Sequence, residues 1–247
     1  MDSGLYSSYS GVRALADMLE MLSNNLANVR TAGFKGDESF FSVYNRTLSE
    51  STVAPLDKAI NDSSVVEGSV VDFRPGPVVI TGRDLDVALE GSGFFVVNTP
   101  EGIRYTRNGD FQLSAKGQLT TSEGLAVMGS KGPINLPAGK VGISQAGEVE
   151  VNGARIDKLK VVDFPDKRAL EKVGNSLFKN GSTTTKEQDV TGLIVRGGSL
   201  EQSNVNPIRQ MTMMININRQ FESLQKAIQM IMNTMNDRSI NQVGRPL

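Results

Sequence analysis

Apolar residues return every seven positions near the start of the chain: Leu5, Val12, Leu19 and Leu26 form one series, and Leu15, Leu22 and Val29 follow three residues behind. That spacing is a heptad seam and predicts an amphipathic helix over about residues 4–29. Gly33 stands where a left-handed residue ends a helix, and Phe34 where an apolar contact folds back on the last turn. Asn24, Asn25 and Asn28 crowd the end of this helix, an odd finish for an element that has only a core to cover. The far end of the chain repeats the design. Asn206 suits an N-cap and Pro207 the first helical position, and Met214, Ile217, Phe221, Leu224, Ile228, Ile231 and Met235 then alternate steps of three and four. Asn216, Asn218, Arg219, Glu222, Gln225, Lys226 and Gln229 occupy the opposite face, so this second helix, over about 207–237, needs a helical partner along its length.

Between the helices the pattern changes to short apolar runs, such as Phe94 to Val97, cut by turn signals every eight or so residues. "PEG" at Pro100, "NGD" at Asn108, "AKG" at Ala115, "SEG" at Ser122, "SKGP" at Ser130, "PAG" at Pro137 and "NG" at Asn152 give the rhythm of an antiparallel sandwich or barrel. The expected fold class is α+β. Long N- and C-terminal helices pair as a coiled-coil-like α domain around a central all-β domain. Residues 1–35 carry the N-terminal helix, 36–64 an extended connection with an aromatic cluster at Phe40, Phe41 and Tyr44, 65–200 the β-rich domain, and 201–247 the C-terminal helix.

Composition narrows the chemistry. The 247 residues contain no Cys, His or Trp, which excludes thiolate nucleophiles, Ser-His-Asp triads and Cys/His zinc sites. A net charge of −1 gives no basic footprint for nucleic acid. No run approaches the roughly 18–20 apolar residues of a membrane span. The first thirty residues are interrupted by Ser7, Ser8, Ser10, Arg13, Asp17 and Glu20, so they do not read as a secretory signal.

The remaining motifs read as structure. "EGSGFFV" has Val96 where a dinucleotide loop needs its third glycine, and "AGKVG" lacks the preceding glycine of a phosphate loop; both are turns. Asp84 and Asp86 share a strand face but have no third ligand, which fits solvated surface. The glycosylation-like triplets at Asn45, Asn61 and Asn180 are too short to carry weight. Met211, Met213, Met214, Met230, Met232 and Met235 fill a core or adapt to neighbours. No catalytic, cofactor-binding or metal residue is assigned.

Three separated motifs carry a family resemblance. "SNNLANVRTAGFK" resembles the N-terminal signature of bacterial flagellar rod, hook and hook-associated axial proteins; within it stand Asn24, Asn25, Leu26, Ala27, Asn28, Gly33 and Phe34. "LEQSNVNPIRQMTMMININRQFESLQKAI", with Ser203, Asn204, Val205 and Asn206, resembles their C-terminal motif, and "DLDVALEGSGFFVV" with "YTRNGDFQLSAKGQLTTSEGLAVMG" the β-domain of the rod members. Length and "SNVNP" are similar to the proximal-rod type, with the distal-rod type the runner-up. The resemblance implies a non-enzymatic subunit, exported uncleaved through the flagellar export apparatus, that polymerises by its terminal helices into a driveshaft across the periplasm. Its implied partners are copies of itself and neighbouring rod proteins, with no nucleic acid, membrane insertion, small molecule or cofactor. Within that picture Asn24 and Asn28 share one helix face and Asn25 begins another, so their amides are expected to bond neighbouring subunits, or else to cap the helix within one chain. Two other classes compete: a carbohydrate-binding or hydrolytic β-protein using Asp84, Asp86, Asp110 and Glu123, and a hook-associated or adhesin homologue.

Overall fold

The computed structural model describes residues 2–43, 64–182, 185–190 and 192–243. Side chains at 2–10, 39–43, 64–68, 231 and 234–243 fall outside the description, as do most of the connecting segment and its cluster at Phe40, Phe41 and Tyr44. The architecture is a mostly β central region between two long helices. By contacts it divides into two units, one of residues 1–26, 37–70 and 206–247, the other of 27–36 and 71–205.

In the first unit, helix α1 spans Asp2–Ala27 and helix α2 Pro207–Val243. α1 stops two residues before the expected end, where Thr31 N–H donates to the Asn28 carbonyl in a tight turn. α2 runs past the expected end at residue 237 to Val243. Strands Asp37–Val43 and Ser64–Val71 pair in a small sheet.

The second unit is built on a ten-stranded sheet whose pairings are antiparallel, with Phe94–Thr99 at its centre. That strand explains the unbroken apolar run "FFVV". Successive side chains point to opposite faces, and both faces are covered: Phe95 and Val97 pack with Val87, Leu89, Phe111, Leu119 and Val127, while Phe94 and Val96 pack with Tyr105, Val162, Phe164, Leu170 and Phe178. A buried residue is required at every position, so alternation disappears. A three-stranded sheet, Val141–Ile143, Glu148–Val151 and Ala154–Lys158, adds Val141, Val149 and Val151 to the first core.

Most of the turn signals sit between strands. Asn152 and Gly153 have φ of 52° and 81° between Val151 and Ala154, the two left-handed residues of a tight hairpin turn. "NGD" does something different. Gly109 lies against the strand Val87–Glu90, and Val87 N–H donates to the Gly109 carbonyl at 3.0 Å. A Cβ on Gly109 would stand 1.8 Å from the Val87 carbonyl oxygen. The glycine is there for close approach rather than for a hairpin.

This packing can be tested at two positions. Gly109→Ala has to push adjacent backbones apart inside the core and should lower stability by about 3 kcal/mol or more, read as a shifted denaturant midpoint. The Glu187 carboxylate is pushed up by burial, but hydrogen bonds from Lys160 Nζ and the Tyr105 hydroxyl, each 2.8 Å, outweigh this and hold its pKa below 4.5. A carboxylate with a depressed folded pKa contributes stability above its unfolded value and loses it as pH falls through the folded one. The stability difference between wild type and Glu187→Gln should therefore be flat at neutral pH and shrink below about pH 4.5, measured by urea titrations across that range.

Candidate assembly site

The helices of the first unit meet in a short apolar cluster. Met18, Leu22 and Ile217 are buried, with Leu15, Leu19, Met21, Met213 and Met214 packed around them. Gly11 lies beside Leu224 while Leu22 lies with Ile217, so residue numbers rise along α1 as they fall along α2 and the pair is antiparallel. Val12, Leu19, Leu26, Met214, Phe221, Leu224 and Ile228 are half-buried. The side chains of Leu5, Ile231 and Met235 lie outside those described. A groove of about 470 Å³ runs between the helices, lined by Gly11, Ala14, Leu15 and Met18 on one wall and Ile217 and Leu224 on the other, with Asn216 and Gln220 adding amides.

Helix ends are fixed by side-chain amides. Asn206 caps α2: Arg209 N–H donates to its Oδ1 at 3.1 Å, and Gln210 N–H to its carbonyl at 3.1 Å. Asn25, 1% exposed, continues the buried line of Leu15, Met18 and Leu22. Its Nδ2 donates to the Asp37 carbonyl at 2.8 Å and its Oδ1 accepts from Asp37 N–H at 2.9 Å. Only an amide offers both groups side by side, so Asn25 ties the last turn of α1 to the first residue of the following strand within the same chain. Asn28 Oδ1 accepts from the Thr31 hydroxyl at 3.2 Å; Asn24 and Ala27 are exposed.

In the second unit the two terminal motifs come together. Residues 27–36, directly after α1, pack with residues 199–205, directly before α2. Gly33 N–H donates to the Glu201 carbonyl at 2.7 Å, and Gly36 N–H to Asn204 Oδ1 at 2.9 Å. Asn204 Nδ2 donates to the carbonyls of Asp72, 2.7 Å, and Arg74, 3.2 Å. Phe34 is buried beneath the Lys172 ammonium, which lies 4.2 Å from its ring centre and donates to the Lys35 carbonyl at 2.8 Å. Ser203 Oγ accepts from Val205 N–H at 3.2 Å. Gly33 has φ of 65°, and a Cβ there would sit 2.3 Å from the backbone of Arg107 and Asn108. No other residue meets both conditions.

Beneath this clasp lies an ion cluster among the most buried groups of the chain. Lys35, fully buried, pairs with Glu201 Oε1 and donates to the Arg74 carbonyl at 2.9 Å. Glu201, 1% exposed, also accepts from Gly76 N–H at 2.9 Å and from Arg107 NH1 at 3.2 Å. Arg107 NH2 reaches the Gly91 carbonyl at 2.5 Å, and its guanidinium lies 5.5 Å from the centre of the Phe94 ring. Burial lowers the pKa of Lys35 and of Arg107, and the Glu201 carboxylate opposes it in both. Lys35, Arg107, Lys172 and Glu201 carry the clasp, yet sequence reasoning passed over all four. The available signal was a charged residue inside each otherwise small or apolar motif, "GFKG" and "SLEQS".

The carboxylates considered for catalysis are dispersed or neutralised. Asp86 is buried, accepts from the Thr81 hydroxyl at 2.6 Å and lies 3.4 Å from Arg83 NH1, which bonds Asp110 at 3.0 Å; Asp84 and Glu123 are exposed. Among the described residues no three acidic side chains gather as a metal site. What the clasp can do chemically is hold the segment after α1 to the segment before α2. Glu201→Gln leaves two buried cations facing a neutral amide and should lower stability by about 3–5 kcal/mol. Lys35→Met, which leaves Glu201 with Arg107, should cost less; denaturant titrations of both variants at neutral pH give the order.

Three family descriptions match the chain: "Flagella basal body rod protein" over residues 5–35, "Flagellar hook protein FlgE/F/G D1 domain" over 88–151, and "Flagellar basal body rod FlgEFG protein C-terminal" over 196–242. The chain is 34% identical to the flagellar basal-body rod protein FlgF of Caulobacter vibrioides, with 92% of each chain covered. It is 32% identical to FlgF of Rhizobium meliloti, covering 91% of each, and 31% identical to the rod protein FlgG of Bacillus subtilis, covering 91% of this chain and 93% of that one. The first and last descriptions fall on α1 and α2 together with both halves of the clasp. The chain belongs to the family of bacterial flagellar basal-body rod proteins.

Proposed function

We propose that this protein is a structural subunit of the flagellar rod that polymerises through its terminal helices into the periplasm-spanning shaft carrying torque to hook and filament. One observation carries the reading: the β unit is packed on both faces of its sheet, whereas the helices are under-buried. α1 and α2 have 26 and 37 residues. Yet among the described side chains their shared apolar core buries three, and Ile208, Met211, Ile215, Met230 and Met232 stand more than half exposed. Apolar helix surface of this extent is the mark of an assembly element.

The helices, with the seam of Leu5, Val12, Leu19, Leu26, Met214, Ile217, Phe221, Leu224, Ile228, Ile231 and Met235, are assigned to a coiled-coil-like axial region. The β domain is its outer layer, and residues 36–64 connect them. Export from the cytoplasm and contacts with neighbouring rod proteins belong to the same reading, and no catalytic role is assigned. The FlgF type is favoured over FlgG. With the Caulobacter FlgF the alignment runs 230 positions for 92% of 247 residues, about 227, and so is nearly gapless. With the Bacillus FlgG it runs 248 positions for 91%, about 225, so some two dozen residues of that relative have no counterpart here.

Leu22→Asp with Ile217→Asp puts two charges into the shared helix core. In cells lacking the native copy, this double variant should fold its β unit, with a far-UV strand signal and a cooperative melt, but leave isolated basal bodies without intact rods and the cells non-motile. Swimming cells with normal rods would overturn the reading.

A further inference from the structure

We infer that residues 28–36 form a latch: the loop between α1 and the strand Asp37–Val43 docks on the β unit and leaves it as one reversible step, while the rest of that unit stays folded. The inference concerns a single copy and does not depend on the assembly reading.

The loop has the form of a piece that moves as a whole. It contains no helix or strand, and its two ends are tied to each other by the paired bonds between the Asn25 amide and the Asp37 backbone. Closed at its base in this way, it is a self-contained Ω-type loop. Its tip, Gly33–Gly36, is buried, whereas residues 28–32 are half-buried or exposed. Point contacts hold the tip in place of a strand ladder. Gly33 N–H donates to the Glu201 carbonyl, Gly36 N–H to Asn204 Oδ1, Asp72 N–H to the Gly36 carbonyl at 2.8 Å, and Lys172 to the Lys35 carbonyl.

The β unit remains internally satisfied when the loop departs. Glu201 keeps the Arg107 guanidinium and the Gly76 N–H, both from the β unit itself. The strand Ser199–Glu201 keeps its pairing with Val78–Ile80, continued by Gln202 N–H on the Pro77 carbonyl at 2.8 Å. One buried cation then faces one buried carboxylate. With the loop docked, Lys35 adds a second cation, and the other carboxylates that act on the two are engaged elsewhere, Asp72 by Arg74 and Asp163 by Lys167. Excess buried charge opposes docking. The neighbouring Phe34 favours it, since the ring is 3% exposed and lies under the Lys172 ammonium. Adjacent residues thus pull in opposite directions, and Phe34 belongs to neither apolar core of the β unit. A segment so balanced, with few apolar contacts to the core, is the kind that opens locally.

Amide hydrogen exchange of the intact 247-residue chain, followed by NMR at low urea concentrations, tests this. Gly33 and Gly36 should share one level of protection, roughly tenfold or more below that of Gly76, Gln202 and Val97, and depend little on urea. Gly76 is the deciding comparison, because it bonds the same carboxylate as Lys35 and yet stays with the β unit. Gly33 and Gly36 exchanging with the protection and urea dependence of the other three would overturn the inference, since the clasp would then open only with the whole unit. Phe34→Ala should speed exchange at Gly33 and Gly36 by a further factor of roughly ten or more and leave the other three within about twofold. An equal rise at all five amides would overturn the latch as well, by making the loop part of the β core.

Discussion

The buried carboxylate of Glu201 is the contact on which the rest of the β unit depends. It receives the Lys35 ammonium, the Arg107 guanidinium and the Gly76 N–H, and each comes from a different region of the chain. A lone charge in that position would be prohibitive, and even a paired one is a poor source of net stability. Its value is in specifying position. Two cations and one amide must converge within hydrogen-bonding distance, so the segment after α1, the strand before α2 and the two loops between them have one arrangement that satisfies all four groups. Gly33 and Gly76 make this possible by letting backbones approach: a Cβ would lie 2.3 Å from Arg107 at the first and 2.0 Å from the Gln202 carbonyl oxygen at the second.

The two units stand at opposite ends of a scale of completeness. Phe94–Thr99 buries the Phe94–Val97 side chains of both faces in separate cores, and Asn204 and Glu201 in the clasp bond backbone groups of the segments they join. Among the described side chains the apolar core of the helix pair buries three, a groove runs between the helices, and Ile208, Met211 and Ile215 stand exposed. In the proposed reading of a subunit that polymerises through its helices, further burial on the helix pair would come from neighbours, at roughly 1.5–3 kcal/mol for each apolar side chain fully covered.

Much of this was legible in the sequence, for reasons that can be stated. Helices are local, so a seven-residue rhythm and an Asn-Pro start locate α1 and α2 to within a few residues at most ends, and Asn152-Gly153 names its own turn. The exceptions come from long-range contacts. α1 ends at Ala27, two residues before the expected end, where the chain turns through the Thr31 N–H to Asn28 carbonyl bond and the following segment packs with residues distant in sequence. "NGD" has the composition of a hairpin turn, but Gly109 is chosen by the carbonyl of Val87, in a separate strand. Lys35 and Glu201 are 166 positions apart, and neither residue by itself distinguishes a buried partner from a solvated surface charge. The cluster could be guessed only by noticing that each charge sits among small and apolar neighbours.

The signature residues sharpen the same distinction. Asn25 bonds the Asp37 backbone, Asn204 the backbones of Gly36, Asp72 and Arg74, Asn206 the first turn of α2, and Gly33 takes a conformation and a space denied to other residues. Every one of these acts on main chain within its own copy. Backbone groups have a single geometry, so the residue that matches them is narrowly determined, and that is why these positions read as a motif. The exposed and half-buried apolar helix faces proposed for assembly impose a looser demand, since they ask for volume and apolarity, which Ile, Leu or Met can each supply with repacking. The recognisable letters of this chain thus describe how one subunit closes on itself, while the assembly proposed for it would draw on the helix faces, where the pattern matters more than the identity of any residue.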